Sequence, residues 1–259
     1  MDYFEKLNEN PYEDLKWNIP ERKQGIVNII GGNKGHFRTE VKVAEFLAEA
    51  YPVQEVRLIL PDSLKGELPA MPNFYFLPSV ESGSFAESQE LINTFEAGDF
   101  NLVIGDLSRS SVTGRAIASA VKSSEKMTIV TRDSVDLLSE NSPDKWLMNE
   151  NVVIMASVAQ LTKLLRAVYY PKMLLMSASL VQVAEVLHKF TLSYPVGIVT
   201  LHNDQVLVAH SGNVKAVELT KTGYSAMEFW NGEIVGKIVG MNLYNPSNFV
   251  GATVGAVLG

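Results

Sequence analysis

The sequence predicts an α/β protein with a mostly parallel central sheet, helices on both faces and an antiparallel meander near its C-terminus. Three observations carry this. Short, almost continuous apolar runs such as "GIVNIIGG", "FNLVIGD" and "NVVIMA" contain β-branched residues and read as strands buried on both faces. Amphipathic stretches alternate with them at the spacing of βα units, which places the strands side by side in one parallel sheet. After residue 195 the pattern changes. "VGIVTLHNDQVLVAHSGNVKAVEL" holds three β runs divided by Asn203-Asp204 and by Ser211-Gly212-Asn213, residues suited to hairpin turns.

Taken in order, residues 1–24 are charged, contain Pro11 and Pro20, and form an N-terminal arm. Its aromatics Tyr3, Phe4, Tyr12 and Trp17 suit docking, on the rest of the chain or on a second subunit, better than disorder. Residues 25–259 read as a single domain. After the strand "GIVNIIGG", the stretch "TEVKVAEFLAEAY" sets Val43, Phe46, Leu47 and Ala50 on one helical stripe. "EVRLILP" and "NFYFLP" are strands, and "FAESQELINTFEAG" is a helix. "FNLVIGD", "SVTGRAIASAVKSS", "KMTIVTRD" and "NVVIMA" continue the alternation. A helix runs from Ser157 through "VAQLTKLLRAV", and "KMLLMSASLVQVAEVLHKFT" reads as one long amphipathic helix. After the meander come two helices, one from about residue 229 to 242 and one from Ser247, with Pro246 as its starting signal.

Composition excludes several classes. The chain of 259 residues has net charge −7 and no dense Lys/Arg cluster, which argues against nucleic acid or an anionic membrane as the main partner. It has no cysteine, so disulfides, thiolate catalysis and Cys-based metal sites are out. The histidines (His36, His188, His202, His210) lack H-x-x-x-H spacing, so no metal site is predicted. No G-x-S-x-G elbow is present. No apolar run approaches a membrane span and the polar N-terminus lacks a signal-peptide core, so the simple expectation is a cytoplasmic protein. Met148, Met155, Met173 and Met176 lie in apolar runs and are expected to fill the core.

The order of elements, with the Gly31-Gly32 pair after the first strand, "VIGDLSRSSVTGRAI" after a middle strand and two small-residue helices at the end, resembles the ribokinase-like superfamily. Within it the chain looks most like the ADP/ATP-dependent NAD(P)H-hydrate dehydratases, a carbohydrate-kinase-like group. The resemblance covers residues 25–259 and implies a three-layer sandwich, a homo-oligomer, and ADP or ATP with magnesium as ligand. Its motifs are partly exchanged here. Gly105 stands in the middle loop, but Leu107 occupies the place of a second glycine. "VTRDSVDLL" keeps one aspartate of two, Asp133. Ser157 and Gln160 replace a His and a Glu, and Leu201 replaces a lysine before the meander. The Gly-Thr-Gly-Asp signature, which in the family forms an anion hole and carries the catalytic Asp, aligns with Trp230-Asn231-Gly232-Glu233.

Each position has a functional and an ordinary reading. A helix start can hold phosphate on its N–H groups, and a carboxylate just inside it can act as a base, which makes Glu233 the candidate catalytic residue. The ordinary reading is that Asn231 caps the helix and Glu233 complements its dipole. If the loop register slips, Gly223 and Thr222 of "TKTGYSAMEFW" take the place of Asn231-Gly232. "GGNKGH" lacks the P-loop spacing; Lys34 and His36 there either meet an anionic substrate or decorate a plain βα turn. Asp133 either accepts a hydrogen bond from a substrate or neighbouring loop, or caps its helix. Arg132 binds phosphate or pairs with Asp136 or Glu140. The candidate binding set is therefore Gly31, Gly32, Lys34, Gly105, Asp133, Asn231 and Gly232, with Trp230 expected to line the cleft. Because Trp230, Leu107, Gln160 and Leu201 each remove a charge, a donor or backbone access, the sequence favours a degenerate relative that binds a nucleotide, dinucleotide or other small ligand with weak or no activity. The alternative is an active dehydratase or small-molecule kinase with Glu233 as base.

Overall fold

The computed structural model describes residues 2–68 and 71–259. Among them ten strands form one sheet in the order β1-β10-β9-β8-β7-β6-β5-β2-β3-β4. They are β1 (Phe4–Leu7), β2 (Ile26–Gly31), β3 (Glu55–Pro61), β4 (Phe74–Leu77), β5 (Phe100–Gly105), β6 (Met127–Thr131), β7 (Val152–Met155), β8 (Gly197–His202), β9 (Gln205–His210) and β10 (Asn213–Glu218). Neighbours run parallel except β8–β9 and β9–β10, the predicted meander. Both hairpins turn on two residues with positive φ, Asn203 and Asp204 at 46° and 56°, Ser211 and Gly212 at 48° and 77°. This is the geometry whose twist suits two-residue hairpins.

The long helices are α1 (Arg38–Ala50), α2 (Gln89–Ala97), α3 (Ser111–Ser123), α6 (Val158–Ala167), α7 (Leu180–Ser193), α8 (Glu233–Leu243) and α9 (Phe249–Leu258); α4 (Asp133–Ser139) and α5 (Pro143–Trp146) are short. Alternate strand residues divide the core in two. Ile30, Val103 and Val130 join the side chains of α2 to α7, whereas Val27, Ile29 and Leu102 join those of α1, α8 and α9. Period-two alternation in a sheet buried on both faces produces these three layers. No helix among the described residues is long and apolar enough to cross a membrane.

Several expected boundaries move. The long helix expected from Lys172 begins only at Leu180, because Ser179 and Gln182 form a capping box that fixes the start; residues 172–178 are irregular. The helix expected from about residue 229 is a short 3-10 turn, Glu228–Trp230, followed by α8 from Glu233. Met155 is core, but Met148, Met173 and Met176 are exposed, since two of them lie in that irregular segment and one follows α5. In α1, Val43 and Leu47 are buried while Ala50, at the helix end, is exposed.

The arm lies against the same chain. β1 pairs in parallel with β10, Glu5 forms an ion pair with Lys215, and Asn18 Nδ2 donates to Asn245 Oδ1 at 2.6 Å. Tyr12, Leu15 and Ile19 pack on the α8–α9 side, while Trp17 faces solvent.

Candidate functional site

In the parallel part of the sheet, β3 and β4 lie on one side of β2 and β5 to β8 on the other. The chain order therefore reverses between β2 and β5, and crevices at the carboxyl ends of such strands are where open α/β sheets take ligands. Gly31 and Gly105 face each other at that point, and the Gly32 N–H donates to the Gly105 carbonyl at 3.0 Å. A Cβ on Gly31 would come within 2.5 Å of Glu40 Oε1 and 2.7 Å of Gly105 O. Gly105 has φ +114°, and a Cβ there would overlap the Asp133 carboxylate. Both positions are thus glycine because acidic side chains occupy the adjacent space.

Glu40, in the first turn of α1, is 0% exposed, and its carboxyl oxygens reach no hydrogen-bond partner beyond the nearby main-chain N–H of Glu40 itself. Burial pushes its pKa up to about 8; the charges of Asp106 and Asp133 add to this, while its own main-chain N–H and Arg132 pull the other way. Sequence reasoning missed this residue. Its one signal is position: Glu40 shares the helical stripe of Val43, Ala44 and Leu47, where an apolar residue belongs.

Asp133 does not cap its helix. Its Oδ1 accepts the Asp106 N–H at 2.8 Å, the neighbouring-loop alternative. Burial raises its pKa, against the pull of that hydrogen bond. Arg132 does not pair with Asp136 or Glu140. Asp136 is taken by Lys163 at 2.5 Å and Gln160 at 2.8 Å. Arg132 instead reaches across the sheet end, with Nη2 3.9 Å from Asp106 Oδ1 and Nη1 donating to the Trp230 carbonyl at 3.3 Å. Its Nε is buried without a partner. Its backbone, at φ 58° and ψ −140°, is a conformation that costs of order 1–3 kcal/mol and persists only where the surroundings impose it. Gln160 is one such support, donating to the Arg132 carbonyl at 2.7 Å. Together with Ser157, Gln160 also forms the capping box of α6, a structural use for both exchanged positions.

The start of α8 differs from the capping expectation. Gly232 is the N-cap, at φ 98° and ψ −26°, and no side chain caps the helix; Asn231 is exposed one position earlier. The amides of the first turn are consequently left to solvent or ligand. The left-handed φ calls for glycine, and a Cβ there would also lie 2.9 Å from Val43 of α1. Trp230 is half-buried, edge-to-face on Phe229 with centroids 5.0 Å apart. Glu233 is exposed, and its Oε1 accepts the Tyr224 hydroxyl at 2.5 Å. Lys237 Nζ stands 5.1 Å from the centre of the Tyr224 ring. Tyr224, which the sequence did not single out, has its pKa raised by burial and by Glu233.

Other candidates lie at the margin. Lys34 and His36 are exposed on a turn closed by reciprocal Asn33–His36 main-chain hydrogen bonds of 2.9 Å. Gly223 is left-handed with open space around it, but the Thr222 hydroxyl closes its own turn, donating to the Leu219 carbonyl at 2.7 Å. That leaves Thr222 a poor anion donor. Among the described residues no three His, Cys, Asp or Glu side chains are grouped to hold a metal ion.

No family profile and no curated protein sequence matches the chain. Solved structures do. A hypothetical protein from Streptococcus mutans superposes with a TM-score of 0.65 at 13% identity, covering 95% of this chain and 86% of the other. YxkO of Bacillus subtilis, a member of the UPF0031 family, gives 0.59 at 12% identity, over 95% and 85%. The pyridoxal kinase of Bacillus subtilis, solved as an ADP complex, gives 0.51 at 11% identity, over 90% and 88%. At these identities the similarity concerns the fold, and with the sheet order and closing meander it shows that the chain has the ribokinase-like fold.

Proposed function

We propose that this chain is a degenerate relative of the NAD(P)H-hydrate dehydratase and carbohydrate-kinase group. Its domain, residues 25–259, holds ADP or ATP, or another small ligand such as a dinucleotide, at the start of α8 and performs little or no chemistry. The observation that carries the reading is the state of the α8 entrance. Its first-turn amides are uncapped and suit an anion, but Glu233 is tied to Tyr224, and the half-buried Trp230 occupies the position where the resembled family has a glycine. Lys34, Gly31 and Gly32 border the same sheet end. Magnesium, in this reading, is carried by the nucleotide phosphates rather than by a protein cage, as suits its reluctance to shed water. The protein acts in the cytoplasm as a homo-oligomer.

The test is a thermal-shift titration with ATP, ADP, NADH and NADPH, with and without magnesium. A ligand at 100 times its Kd adds about 2.7 kcal/mol, which for a chain of this size raises Tm by roughly 5–10 °C. No shift with any of the four at millimolar concentration refutes nucleotide binding.

The uncapped amides and the surviving carboxylate also support a second reading, an active dehydratase or small-molecule kinase with Glu233 as base. Assays with hydrated NADH or a small alcohol decide between the two. Glu233→Gln is expected to fold normally, and any activity that survives it removes Glu233 from the role of base.

A further inference from the structure

We propose that the face formed by Tyr169 to Val181, at the connection of α6 to α7, binds the same face of a second copy of this chain about a two-fold axis. Tyr169 of each copy enters the groove between residues 172 and 186 of the other. Locating the interface rests on the homo-oligomer stated above and not on the nucleotide.

The first sign is how the chain leaves α6. Val168 ends the helix, the Tyr169 N–H donates to the Arg166 carbonyl at 3.0 Å, and the Tyr170 N–H donates to the Leu165 carbonyl at 2.9 Å. This pair of bonds places the residue after the cap in the left-handed conformation, a position that glycine usually fills. Here it is Tyr169, with φ 52° and 94% exposed. A bulky side chain in that conformation is strained, and a ring in water does nothing to offset the strain. A second copy that covers the ring does.

The segment that follows is pinned to the domain. Leu174 is buried and its carbonyl accepts the Thr162 hydroxyl at 3.0 Å. His202 Nε2 donates to the Ala178 carbonyl at 2.7 Å, and Lys172 pairs with Glu185 at 2.6 Å. On this fixed backbone Leu175 and Met176 are 60% and 69% exposed, and Met173 and Val181 are each about half exposed. Five of the eleven large apolar side chains exposed among the described residues therefore stand between residues 169 and 181, a concentration that marks an interaction site. At roughly 200 Å² for a tyrosine and 100–150 Å² for each of the others, they offer on the order of 450 Å² of apolar surface. A stable interface buries about 800 Å² per partner, some 60% of it apolar, which is the same amount.

Shape and charge point to an identical partner. A groove of about 460 Å³ runs beside these side chains, lined by Met173, Leu175, Ala178 and Glu185 among others. A protrusion and a recess on one face are what a two-fold interface needs, since each copy supplies both. Lys172 and Lys189 are both held by Glu185, at 2.6 and 2.7 Å, so two such faces meet with little net charge. An anionic membrane gains little from such a face on a chain of net charge −7.

The experiment is sedimentation of the full-length protein from about 1 to 100 μM, where a self-association of ordinary strength shows its concentration dependence. The wild type is expected to associate. Tyr169→Gly and Met176→Glu, both at exposed positions and checked for folding by circular dichroism, should each weaken association at least about tenfold. Trp17→Ser, at the exposed aromatic of the arm, should leave it unchanged. Association that survives both face variants overturns this surface and leaves the homo-oligomer standing. Association lost only in Trp17→Ser moves the interface to the arm and likewise overturns the proposal. A wild type that stays monomeric refutes both the surface and the homo-oligomer; if that monomer sediments with phosphatidylserine vesicles, the face belongs to a membrane instead. None of these outcomes bears on nucleotide binding, which the thermal-shift titration decides by itself.

Discussion

Glu40→Gln isolates the energetic consequence of a buried, unpartnered acid. Glutamine has nearly the same shape and never ionises. In the wild type the folded state keeps its Glu40 proton up to about pH 8, whereas the unfolded chain loses it near 4.5. Between those values the folded protein binds the extra proton, so its stability is full below pH 4.5 and declines as pH rises toward 8. The slope is about 1.4 kcal/mol per pH unit, so the gap between variant and wild type should widen by roughly 3 kcal/mol from pH 5 to pH 7. That is a large part of the 5–15 kcal/mol typical of a whole domain. The buried amide keeps an unsatisfied-group penalty of its own, so the change with pH, not the absolute difference, is the quantity to measure. Urea unfolding of both proteins at pH 5, 6, 7 and 8 supplies it, and the contributions of other titrating groups largely cancel in the difference. A gap that stays constant from pH 5 to pH 8 would refute the argument.

Two further substitutions test the framework around the site. Gly105→Ala should destabilise by more than about 2 kcal/mol, since it combines a left-handed φ with overlap on the Asp133 carboxylate; a change under about 0.5 kcal/mol in chemical denaturation would show that the Asp133 loop yields readily. Ser179→Ala removes one half of the α7 capping box and should cost about 1 kcal/mol, read as a Tm lowered by roughly 2–4 °C.

The layered fold was legible because its strands are buried on both faces. "FNLVIG" and "VVIM" have every residue buried, and such runs are hard to mistake. The hairpins were legible because Asn-Asp and Ser-Gly tolerate positive φ. Helix starts were less so: apolar "KMLLMSA" continues the pattern of α7 backwards, and only the capping box reveals the true beginning. The site was least legible where contacts cross between loops. Arg132 has acids at the usual helical spacing but takes its partners from the loop after β5 and the 3-10 turn before α8. Glu40 interrupts the apolar stripe of α1, but the charges that face it, Asp106, Arg132 and Asp133, come from elements far along the chain, so the stripe alone does not assign it.

The pairing of β1 with β10 bears on how the molecule assembles. Glu5 and Lys215, which form an ion pair across it, are 210 residues apart, so the first strand has no partner until nearly the whole chain has left the ribosome. Closing so long a loop is slow, though its entropic cost grows only logarithmically with length. Until it closes, β10 presents a bare edge of unpaired amides and carbonyls to other chains. Deleting residues 2–8 should therefore leave the parallel core able to fold while raising the tendency to aggregate during refolding, a change that light scattering would detect.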